Sequence, residues 1–105
     1  MSGMNDITQR CKTVLERHYG SRFKGLVLYG SMARSRAGPT SDVDLLVLLS
    51  KPFDYFYELR QIVDLLYPIQ LESEQLISAK PAAVEEFEYG GLQLYRNAKR
   101  EGLFL

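Results

Sequence analysis

The sequence predicts an α/β (α+β) fold: a small mixed β-sheet packed with helices, in a single domain spanning residues 1–105. Three observations predict it. Apolar runs at residues 26–29 and 45–49 read as strands, the first of them buried on both faces. Segments on either side repeat their apolar residues every three or four positions, as helices do. At 105 residues the chain has room for one domain with a modest core.

The elements follow in order. Residues 5–19 read as a helix, because Ile7, Cys11, Val14, Leu15 and His18 recur at helical spacing. Asn5 or Asp6 is expected to cap its start and Gly20 to end it. Lys24 to Tyr29 is the first strand, and Ser31 to Ser35 a short helix beginning at its end. Arg36 to Ser41, containing Gly38-Pro39, is a loop. Asp42 to Leu49 is the second strand, stopped by Lys51-Pro52. Asp54 to Leu66 is a helix with an apolar stripe of Phe56, Leu59, Ile62, Val63 and Leu66, broken by Tyr67-Pro68. Alternation over residues 69–77 suggests a third strand. Val84 to Tyr89 is a short helix, Gly90-Gly91 a turn, and Leu92 to Arg100 the last helix.

Composition narrows the class. With 46% hydrophobic and 25% charged residues the chain is an ordinary globular protein. Its net charge of zero gives no strong nucleic-acid signal, since general nucleic-acid binders are usually basic. A single cysteine, Cys11, excludes an internal disulfide and fits a reducing cytoplasm. No apolar run approaches the roughly 20 residues of a membrane helix. A cytoplasmic location without membrane attachment is therefore expected.

The chemistry is concentrated between the first two strands. Gly30-Ser31 closes the first apolar run, and Asp42 and Asp44 open the second. Residues two apart on a strand point the same way, so the two carboxylates should converge. Such a pair repels itself unless a cation or proton lies between. Mg²⁺ takes oxygen ligands of this kind, completed by substrate phosphates. Gly30 permits a turn or close approach of a phosphate. Ser31 can cap a helix whose free N–H groups suit phosphate. Asp44 also precedes five apolar residues, where an unpartnered carboxylate would be costly. Metal plus nucleoside triphosphate is the expected ligand set.

Gly30-Ser31-Met32-Ala33-Arg34-Ser35-Arg36-Ala37, followed by Ser41-Asp42-Val43-Asp44-Leu45-Leu46-Val47, resembles the signature of the DNA polymerase β-like nucleotidyltransferase superfamily. The nearest branch is the minimal nucleotidyltransferases encoded beside a HEPN-domain partner. The resemblance implies the nucleotidyltransferase fold and transfer of a nucleoside monophosphate, AMP from ATP, to an acceptor hydroxyl with Mg²⁺ or Mn²⁺ bound. It also implies an antitoxin that modifies a HEPN-domain toxin, and a role for Arg34 on the triphosphate, for which a guanidinium is well shaped. A homo-oligomer is compatible with it.

Two-metal transfer usually needs a third carboxylate, which the family carries as Asp on a later strand. This chain offers glutamates there. The resemblance implies an acidic residue thirteen positions before the aromatic Phe87, which selects Glu74 as the third metal ligand and catalytic carboxylate, with Glu72 in reserve on the same strand face. Glu extends beyond Asp by one methylene, moving the oxygens by roughly 1 Å. Two other functions share these residues. A non-catalytic nucleotide-binding module could dock a partner through Phe53, Tyr55, Phe56 and Tyr57. Transfer to a small molecule such as an antibiotic would need a substrate domain for which the chain has no room.

Overall fold

A computed structural model of the chain describes residues 4–30 and 42–105. Helix α1 runs Met4–Tyr19 and a 3₁₀ turn Gly20–Arg22 leads into strand β1, Phe23–Tyr29. Strand β2, Val43–Leu49, and helix α2, Tyr55–Glu72, follow. Strand β3, Ile77–Ala83, precedes helices α3, Val84–Tyr89, and α4, Gln93–Glu101, and the chain closes with β4, Leu103–Phe104. The sheet order is β3-β2-β1-β4. β1 pairs antiparallel with β2 and with β4, whereas β2 and β3 run parallel through the α2 crossover.

The continuous apolar runs reflect a sheet covered on both sides. Leu26, Leu28, Val43, Leu45, Val47, Leu49 and Ala79 are buried with Ile7, Cys11 and Leu15 of α1 and Ile62, Leu66 and Ile69 of α2. The alternate residues Val27, Leu46, Leu48 and Ala82 are buried with Phe87, Tyr95 and Ala98 of α3 and α4. A strand covered on both faces has no polar position to spare, which is why 45–49 reads as an unbroken hydrophobic run. Asp44 shares the α3/α4 side with Leu46 and Leu48 but lies at the end of the strand.

Several expected boundaries move. Asn5 and Asp6 lie inside α1, which begins at Met4, so Asp6 acts as a first-turn anion rather than a residue preceding the helix. α2 is not broken at Pro68 but continues to Glu72. Proline leaves the carbonyl four residues earlier without its partner. Both Pro68 and Asp64 are exposed, so water can take that role. The α2 stripe is also rotated from expectation: Ile62, Leu66 and Ile69 are buried, whereas Phe56 and Val63 are exposed. The Asp54 carboxylate caps this helix, accepting the Tyr57 N–H at 2.9 Å.

Helical continuation displaces β3 to Ile77–Ala83. Gln70 then ties helix to strand, donating to Gln75 O at 2.9 Å and accepting the Ile77 N–H at 2.7 Å. Beneath α2, buried Glu58 accepts from the Tyr19 hydroxyl at 2.8 Å and from Arg22 at 2.9 Å.

Candidate active site

Two neighbouring strand ends build the site. The β1–β2 register sets Tyr29 opposite Asp44, and the β2–β3 register sets Ser78 opposite the same residue. Paired residues share a face, so Tyr29, Asp44 and Ser78 form one row across three strands. One step further along, Leu46 is opposite Lys80. Asp44 is half-buried, and Asp42, just before β2, is exposed.

Gly30 belongs to this geometry. Its φ of +80° is one that side-chain-bearing residues rarely adopt. A Cβ built there would sit 2.5 Å from Asp44 Oδ2. Glycine therefore lets the backbone leave β1 against the carboxylate itself.

Electrostatics mark the same spot. Burial, reinforced by the charge of Asp42, raises the Asp44 pKa above the usual carboxylate range, while Lys80 acts in the opposite direction. The Tyr29 phenol is pushed up to about 12, chiefly by burial and next by the charge of Asp44. Asp44 is thus an anion short of compensation, faced by a second carboxylate. A hard divalent cation that takes one or two protein carboxylates and fills its shell with phosphate oxygens and water fits this donor set.

The glutamates do not join it by the expected route. Glu72 ends α2 and forms a two-pronged pair with Arg10 of α1, at 3.0 and 3.2 Å. It is therefore held by the helix layer that covers the other face of the sheet from Asp44. Glu74 is an exposed residue of the turn between α2 and β3, not a strand residue. Among the described residues, no group of three His, Cys, Asp or Glu side chains comes together as a metal site. The strand alternation expected for Glu72 and Glu74 fails because α2 outlasts Pro68 and delays β3. Ser31 and Arg34, the expected nucleotide-binding partners of Gly30, lie outside the described residues, as does the expected helix at 31–35.

Tyr29 and Lys80 are the neighbours of Asp44 that sequence reading passed over. The expected elements stop at residue 77 and resume at 84, so Ser78 and Lys80 fall between them. Pro81 is tolerated because β3 is an edge strand.

The chain is similar to known proteins in sequence and in fold. A Methanocaldococcus jannaschii protein named "Putative protein adenylyltransferase" is 34% identical over 70 residues, covering 63% of this chain and 70% of that protein. A chain in the crystal structure of a mutant toxin–antitoxin complex, MntA-HpeT, superposes with a TM-score of 0.59 at 15% identity. That likeness, covering 100% of this chain and 72% of the other, is one of fold. The family model described as a nucleotidyltransferase domain matches residues 9–104, and that match makes this chain a member of the family, a nucleotidyltransferase.

Proposed function

We propose that the chain transfers AMP from ATP to a hydroxyl of a partner protein, and that the partner is a HEPN-domain toxin which this modification silences. The observation that carries the reading is the close approach of Gly30 to half-buried Asp44, with Asp42 beside it. Such a place suits a divalent cation and the phosphates it accompanies. The adenylyltransferase name of the archaeal relative supports a protein as acceptor.

In the reaction, the acceptor oxygen bonds to the α-phosphorus as the bond to the bridging oxygen breaks. Pyrophosphate leaves, and the hydroxyl proton passes to solvent. A bound Mg²⁺ or Mn²⁺ supplies neutralisation of phosphate charge. Asp42 and Asp44 would hold that ion. Gly30 lets backbone and phosphate approach, and Ser31 and Arg34 are the proposed triphosphate contacts. Cytoplasmic ATP would be the donor. No described helix is long and apolar enough to cross a membrane.

A second reading is favoured by a specific observation. Phe56 is 76% exposed and Tyr57 59% exposed at the start of α2, a surface suited to docking a partner without chemistry. Transfer of label from α-³²P-ATP with Mg²⁺ separates the two. The protein encoded by the neighbouring gene serves as acceptor, with Asp42→Asn/Asp44→Asn as control. Label on the partner that vanishes in the double variant is expected. Binding of the partner with no label from wild type would leave docking as the function.

A further inference from the structure

Among the described residues flanking Asp44 on the neighbouring strands, the charged side chain is a cation, Lys80. β2 has two neighbours in the sheet, and their registers determine which side chains flank this carboxylate. Across β1 these are Tyr29 and, diagonally, Val27; across β3 they are Ser78 and, diagonally, Lys80. Directly opposed and diagonal positions are the ones within reach of a strand residue. None of these four is a carboxylate. Glu72 is engaged by Arg10 beside α1, and Glu74 belongs to the turn before β3.

Resting on the functional reading above, we propose that the Lys80 ammonium is the second positive charge of this site. It stands on β3 beside the Asp42–Asp44 pair, faces the nucleotide's phosphates, and leaves the pair to take one divalent cation rather than two. Two metal ions placed roughly 3.5–4 Å apart need anionic ligands to offset their mutual repulsion. With no third carboxylate among the described residues to hold it, a second ion would lack a protein ligand of its own, and the Lys80 ammonium would repel it on the β3 side. Lysine suits the task because it is a compact point charge on a flexible stem, and lysines serve as phosphate binders elsewhere. Lys80 is exposed, so its stem is free to follow a ligand.

The test counts metal ions. Mn²⁺ is titrated into wild type, Lys80→Asp, Lys80→Gln and Asp42→Asn/Asp44→Asn, each saturated with α,β-methylene-ATP. Bound ion is read by electron paramagnetic resonance, and folding is checked by circular dichroism. One Mn²⁺ per wild-type complex and two per Lys80→Asp complex are expected. Lys80→Gln should still hold one, with nucleotide affinity reduced about tenfold. Two ions in wild type, or one in a folded Lys80→Asp, would overturn the proposal, as would unchanged nucleotide affinity in Lys80→Gln. If Lys80→Asp does not fold, the wild-type count and the Lys80→Gln affinity decide it. Mn²⁺ retained unchanged by the double aspartate variant would instead refute the underlying reading of the site.

Discussion

Replacing Gly30 by alanine probes the contact from which the site is built. The backbone there has φ +80°, and holding an L-residue in the left-handed region costs roughly 1–2 kcal/mol. The new Cβ would also start 2.5 Å from Asp44 Oδ2. Ordinary contact requires the oxygen to retreat by about 1 Å, and turning the carboxylate off its rotamer adds about 0.5–1.5 kcal/mol. The sum, about 2–3 kcal/mol, should lower the melting temperature by on the order of 10 °C for a domain of this size. The two parts separate in a double-mutant cycle with Asp44→Ala, followed by urea unfolding. Without the carboxylate, the backbone part should survive and the steric part vanish, giving a coupling of about 1 kcal/mol. Equal costs of Gly30→Ala in both backgrounds would show that the approach to Asp44 is not what requires glycine. Loss of nucleotidyl transfer in Gly30→Ala should exceed its loss of stability, because the displaced group is the proposed metal ligand.

Further perturbations test the frame around the site. Arg22→Ala leaves Glu58, with a side chain 7% exposed, dependent on the Tyr19 hydroxyl. Because Arg22 is itself 44% exposed, the loss should be on the order of 2 kcal/mol, below that of a fully buried pair, and measurable by urea denaturation. Gly102→Ala drives a Cβ into Ala98 O and to within 2.8 Å of Val27 Cγ1 and 3.0 Å of Leu28 O. Since the backbone cannot yield easily, a cost of about 1–3 kcal/mol is expected, with hydrogen exchange accelerated first at β4. Arg10 holds the Glu72 pKa below the ordinary carboxylate range. Its contribution is therefore present above that range and disappears as pH falls through the lowered value. Glu72→Gln should flatten the acid side of the melting-temperature profile and leave its alkaline side unchanged; an altered alkaline side instead would contradict the assignment.

The parts legible in the sequence are those where one rule acts alone. β1 and β2 are continuous apolar runs because both faces are covered, and Gly30 with the paired aspartates stands at their ends. The second half of the chain was harder because tertiary contacts override local signals. Pro68 reads as a helix stop, yet α2 passes through it on an exposed side. Pro81, a residue confined to sheet edges, stands in β3, which is such an edge. The continuation of α2 past Pro68 shifts the third strand by about two turns of helix, which leaves Glu74 in the turn before β3 and puts Lys80 on the strand. β4 is only two residues long and owes its place to pairing with Val27 and Leu28, which local sequence cannot reveal.

The two borders of the sheet differ in kind, and this bears on how copies of the chain could meet. On one side Leu103–Phe104 pairs with β1, and the Leu105 N–H continues to Leu26 O at 2.9 Å, so the short β4 forms that border. On the other, β3 presents Lys80 and, in Pro81, a residue with no N–H to donate. A foreign strand would find its ladder interrupted at the middle of β3 and a charge beside the gap. Growth of the sheet across the β3 edge is therefore disfavoured. The exposed Phe56, Val63, Tyr67 and Leu71 of α2 make that helix the surface on which crowding or concentration would first be felt.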